Sequence, residues 1–110
     1  MAITHLVLFQ FVAGTSAATI KDVCARMLAL KEQCLDPISQ KPYILGSSGG
    51  IDNSIEGKQY GITHAFVVEF ASEDDREYYV RRDPVHAAFV KSLDGVVEKG
   101  QVVDFTDGVF

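Results

Sequence analysis

Three histidines, His5, His64 and His86, are the side chains of this sequence best suited to moving protons near neutral pH, where imidazole titrates. His5 and His64 each follow a threonine at the start of a β-rich run, ITHLVLFQF and ITHAFVVEF. His86 is the third residue of a segment opened by Asp83-Pro84, an N-cap with proline at the first helical position. The positive end of a helix disfavours imidazolium, so His86 is expected to stay neutral near pH 7. A neutral imidazole accepts a proton, which is what a general base requires. Tyr78 and Tyr79 lie just upstream, where one could donate a hydrogen bond to an oxyanion or both could be core aromatics. Any one of these histidines alone also fits a structural role, a core ring with its nitrogens satisfied locally.

Other chemistry has weaker support. No paired carboxylates, Ser-His-Asp set or Cys-His set can be assembled, and the glycine-rich stretch 46–61 lacks the GK[ST] ending of a phosphate loop. Imidazole suits zinc, copper, iron or nickel, so three histidines together could hold a metal. No carboxylate clearly belongs with them, and no metal and no cofactor are expected. Cys24 and Cys34 stand ten positions apart on one expected helix, about 15 Å along it, and cannot bond to each other. They are expected as reduced core thiols.

The elements that must place the histidines follow from periodicity. In residues 3–12 alternation puts Ile3, His5, Val7, Phe9 and Phe11 on one face, and Thr4, Leu6, Leu8 and Gln10 on the other. Thr15 and Ser16 offer caps for a helix over 17–35, ended by Asp36-Pro37. A short strand is expected at 42–47, then a long mobile loop to 61. The third strand spans 61–70, with Ile62, His64, Phe66, Val68 and Phe70 on one face. A short helix over 72–80 has an acid-rich first turn. The Asp83-Pro84 helix turns Val85, Ala88, Phe89 and Leu93 inward and ends near Asp94-Gly95, before a last strand at 100–106.

The order β-α-β-β-α(α)-β is α+β, the ferredoxin-like split βαβ arrangement: a four-stranded antiparallel sheet with helices on one face. The whole chain, 1–110, reads as one domain. Strands one and three are expected side by side and parallel, which would bring His5 and His64 to matching depth. With His86 on the covering helix, all three rings would look into one cavity lined by Val7, Phe9, Phe66, Val68 and Phe89. The opposite sheet face still carries Leu6, Leu8, Ala65 and Val67. Each large apolar side chain left wet forgoes about 1.5–3 kcal/mol, so a second copy is expected to cover that face and close a dimeric α/β barrel.

Bulk composition excludes several partners. Net charge is −5, from 15 acidic and 10 basic residues, and only Arg81-Arg82 interrupts it, so nucleic acid is not expected. No run approaches the roughly 20 apolar residues that span a bilayer. The apolar N-terminus has neither a basic n-region nor a cleavage site, and a cytoplasmic protein is expected.

The runs ITHLVLFQF, ITHAFVVEF, YYVRRDPVHAAFV and VVDF together resemble the stress-responsive dimeric α/β-barrel family, across essentially the whole chain. The resemblance implies a homodimer, and in the plant polyketide cyclase of that family a histidine of the HPxH turn acts as base and acid in an intramolecular aldol cyclisation, assisted by a tyrosine. Carried over, His86 takes that role, with Tyr79 or Tyr78 assisting and His5 and His64 as pocket histidines. Two residues usually separate the tyrosine from the turn, whereas here three, Val80, Arg81 and Arg82, separate Tyr79 from Asp83. The expected function is cofactor-independent acid/base chemistry, of the cyclase type found in secondary metabolism, on a small apolar, carbonyl-rich metabolite. The alternative is a non-catalytic, stress-responsive protein that binds such a molecule unchanged.

Overall fold

Strict alternation of bulky and smaller residues makes the first strand, and capping residues start each helix. A computed structural model describes residues 1–110. Its elements are β1 (Ile3–Phe11), α1 (Ala17–Gln33), β2 (Ile44–Ile51), β3 (His64–Phe70), α2 (Glu73–Arg81), α3 (Pro84–Ser92) and β4 (Val97–Phe105). Every odd residue of β1, His5 included, is buried and every even one is half-exposed. Ser16 caps α1 by accepting from Thr19 N at 3.1 Å, and Ser72 caps α2 by accepting from Asp75 N at 3.1 Å. Helix α1 ends two residues earlier than its periodicity implies, at Gln33, so Cys34 is its C-cap. No helix is long and apolar enough to cross a membrane.

The four strands form one antiparallel sheet in the order β2-β3-β1-β4. This is the ferredoxin-like arrangement expected, but one element of the expectation is corrected. β1 and β3 are adjacent and antiparallel, not parallel, with His5 opposite Val68 and His64 opposite Phe9. The cause is topological. The α1 crossover returns the chain so that β2 runs parallel to β1; β3 then reverses and inserts between them, which makes it antiparallel to both. His5 and His64 therefore lie at opposite ends of the pair, four residues or roughly 13 Å apart along it.

Strand β2 is also longer than its composition implies. Gly49 and Gly50, expected in a loop, pair with β3 at Phe66 and Ala65. A Cβ on Gly49 would lie only 2.2 Å from Phe66 Cδ1. Glycine there is a packing requirement of the neighbouring strand rather than a sign of disorder. The loop proper covers 52–63.

The core joins the buried face of β1 and β3 to Val23, Met27 and Leu30 of α1, Tyr79 of α2 and Phe89 of α3. The other face is bare. Strand register carries Val67, Leu6 and Val103 across β3, β1 and β4 as one apolar stripe, with Val103 and Phe105 47% and 44% exposed.

Candidate functional site

Between the two short helices and the β1–β4 side of the sheet lies an apolar cavity of about 360 Å³. His5, Val7 and Phe9 form its floor, Tyr79, His86 and Phe89 its wall, and the half-exposed Val80, Val90 and Val102 its rim. Its size falls at the lower end for small-molecule sites. A larger depression of about 560 Å³ lies among residues 51–63, but it is open to solvent and holds no histidine.

The local sequence places His86 through Asp83. That carboxylate is 2% exposed and caps α3, accepting from Val85 N at 2.9 Å and His86 N at 3.4 Å. Its second oxygen accepts from the Tyr43 hydroxyl at 2.5 Å, which ties the start of α3 to the chain just before β2. The His86 ring then lies 2.8 Å, through Nδ1, from the Tyr79 carbonyl and stacks on the Tyr79 ring at 3.8 Å. A carbonyl only accepts, so Nδ1 carries the hydrogen. In the neutral ring Nε2 therefore holds the lone pair. Burial pushes the His86 pKa below the ordinary imidazole range; the Tyr79 carbonyl opposes this, and the nearby His5 adds to it. Neutrality was expected from the helix end, but the larger cause is desolvation.

His5 is the second imidazole of the cavity, 4% exposed, with its ring edge-on to Tyr79 at 5.8 Å. Its Nδ1 lies 2.6 Å from Asp104 Oδ1, and Asp104 Oδ2 accepts from Arg76 Nη1 at 3.0 Å. Sequence reasoning missed both Asp104 and Arg76. The available signal was alternation on β4: Asp104 shares the inward face with Val102, and a carboxylate facing a core needs a partner.

The remaining candidates separate. His64 does not line the cavity; its ring packs on Phe11 at 5.2 Å and Nδ1 pairs with the Thr63 hydroxyl at 2.8 Å. The expected convergence of three imidazoles is thus two, because the strands are antiparallel. No group of three or more His, Cys, Asp or Glu side chains is placed to hold a metal ion, so the three-histidine metal site is not assembled. Val7, Phe9 and Phe89 line the cavity, whereas Phe66 and Val68 are sealed in the core at 1% and 2% exposure.

Tyr79 contributes its ring to the wall, but its hydroxyl is buried with no hydrogen-bond partner, and burial with neighbouring Cys34 and Asp83 drives its pKa upward. Tyr78 faces elsewhere, against the Tyr43 ring and the Arg82 guanidinium. One residue along a helix turns the side chain by about 100°. The extra residue before Asp83 thus puts Val80 at the cavity rim and draws the Tyr79 hydroxyl into the core.

The sequence model of the stress responsive A/B barrel domain matches residues 3–107. Among solved structures, a protein of Arabidopsis thaliana is similar at 25% identity with a TM-score of 0.83, covering 98% of this chain and 97% of that one. The hydroxynitrile lyase of Passiflora edulis is similar at 21% identity with a TM-score of 0.83, covering 99% and 96%. A dimeric ferredoxin-like protein of Thermobifida fusca is similar at 19% identity with a TM-score of 0.73, covering 96% and 91%. No curated protein matches.

Proposed function

The chain belongs to the stress responsive A/B barrel domain family, and from that premise we propose that it is a homodimeric, cofactor-independent enzyme using His86 as general base on a small, apolar, carbonyl-bearing metabolite. The observation that carries this reading is the state of the His86 ring: half-buried, held through Nδ1 by the Tyr79 carbonyl, and left with one free nitrogen at an apolar cavity. A carbon flanked by two carbonyls is acidic enough for so modest a base. The product of proton removal is an enolate, which attacks a second carbonyl of the same chain in an aldol cyclisation. This is chemistry of the polyketide-cyclase type. The apolar lining excludes water that would quench the enolate.

The Passiflora neighbour is a lyase on the same fold, which at 21% identity supports the fold alone. One observation favours the non-catalytic alternative, in which the cavity only binds: neither Tyr78 nor Tyr79 offers a hydroxyl to it.

Deuterium uptake separates the readings. Nonane-2,4-dione in D₂O exchanges its C3 hydrogens whenever a base removes them, and proton NMR follows the loss. The protein is expected to accelerate that exchange above buffer. His86→Ala is expected to remove the acceleration, a fall of roughly 100-fold or more, with the fold intact by circular dichroism. Binding of the dione without any acceleration would leave the binding protein standing and the enzyme without support.

A further inference from the structure

Forming an enolate takes two groups, a base for the carbon and a donor for the oxygen on which charge develops. The tyrosines do not supply the donor: the Tyr79 hydroxyl is turned into the core and Tyr78 lies on another surface. The cavity holds one other polar ring. His5 gives its Nδ1 to Asp104 Oδ1 at 2.6 Å, and because a carboxylate only accepts, that nitrogen carries hydrogen. Nε2 is then the only free nitrogen of a ring that is 4% exposed and lines the cavity. Asp104 is itself fixed from the far side by Arg76 Nη1 at 3.0 Å. Both imidazoles pack on the ring of Tyr79, one edge-on at 5.8 Å and one stacked at 3.8 Å.

We infer that His5 is the oxygen-side catalytic residue of this cavity, donating from Nε2 to the substrate carbonyl, and that Asp104 is the positioning residue that holds it. This deepens the proposed function and rests on His86 acting as the base. The substrate class follows: a carbonyl compound whose acidic C–H reaches His86 while its oxygen reaches His5. The reacting form has hydrogen on both nitrogens of His5, its charge facing the Asp104 carboxylate, and a neutral His86. In the forward step the C–H bond breaks and its proton goes to His86 Nε2. The electron pair becomes the carbon–carbon double bond of the enol, and the carbonyl oxygen takes the proton of His5 Nε2–H. His86 ends as imidazolium, and His5 ends neutral with Nδ1–H still on Asp104. Reversal returns both protons.

The charged and titratable groups facing His5 are Asp104 from β4, Arg76 and Tyr79 from α2 and His86 from α3, with Glu77 paired to Arg76 at 3.7 Å. Among these, Asp104 is the one anionic group bonded to the ring. Replacing it by an amide keeps a hydrogen-bond acceptor and removes the charge that favours imidazolium.

The test uses the same dione exchange, read as a pH–rate profile. Asp104→Asn is expected to lower the rate by roughly 100-fold and to displace the alkaline limb, where the acid is lost. His5→Gln is expected to abolish that limb with a similar loss, while Asp104→Glu recovers part of the rate. A merely structural carboxylate would change stability and leave the position of the limb alone. Acceleration that requires His86 but is untouched in rate and profile by Asp104→Asn and His5→Gln would overturn this inference and spare the proposed base. Absence of acceleration by the unmodified protein would instead remove both.

Discussion

Leu6→Asp is expected to convert the protein to monomers. Leu6 sits at the centre of the bare sheet face, opposite Val67 of β3 and Val103 of β4. The three side chains form a stripe that no element of the chain covers. In the proposed homodimer the two-fold axis brings each Leu6 against the partner's copy of this face. Burying one leucine contributes about 1.5–3 kcal/mol, so the pair contributes about 3–6 kcal/mol. Removing that alone weakens association by roughly two to four decades, before the desolvation of two aspartates is added. Analytical ultracentrifugation across a micromolar range reads the outcome. The cavity lies on the other face, so far-ultraviolet circular dichroism is expected to be unchanged. A variant that still sediments as a dimer would show that another surface joins the copies.

Gly49→Val is expected to destabilise the fold by about 3 kcal/mol or more, the upper end of what overpacking costs. The added Cβ would meet Phe66 Cδ1 at 2.2 Å, Phe66 Cε1 at 2.8 Å and the Ala65 carbonyl oxygen at 2.9 Å. Phe66 is 1% exposed and cannot swing aside, and a strand carbonyl cannot retreat without breaking its ladder. Denaturant unfolding measures the loss. Pairing Gly49→Ala with Phe66→Leu is expected to cost less than the sum of the two, since the second change empties the space the first invades. Simple additivity would show that the glycine is there for some other reason.

The same glycine explains why part of the fold was hidden in the sequence. Alternation made the two faces of β1 legible, because its inward side chains are bulky and its neighbours fix the pleat. The Asp83-Pro84 start of α3 was legible because a cap and an N1 proline are local chemistry. Strand β2 was not. Its sequence ILGSSGGI is shaped by what Phe66 on another strand needs, and single-strand periodicity carries no trace of that.

The site divides the same way. His86, Val7, Phe9 and Phe89 follow from facing rules along one element and line the cavity. His64 was misplaced because its depth depends on strand direction, a property of the whole topology. Asp104 was overlooked because its meaning comes from lying opposite His5 across nearly the full length of the chain. The tyrosine hydroxyl depended on a single-residue change in helical phase.

The most direct measurement of the central claim follows the three imidazole Cε1–H signals by proton NMR, across pH and with added nonane-2,4-dione. His86 is expected to titrate below the ordinary imidazole range, because burial disfavours its charged form. The dione is expected to shift the His5 and His86 signals and to leave that of His64, outside the cavity, in place. A dione that moves His64 while His86 stays still, or a His86 that titrates like a free imidazole, would contradict the account.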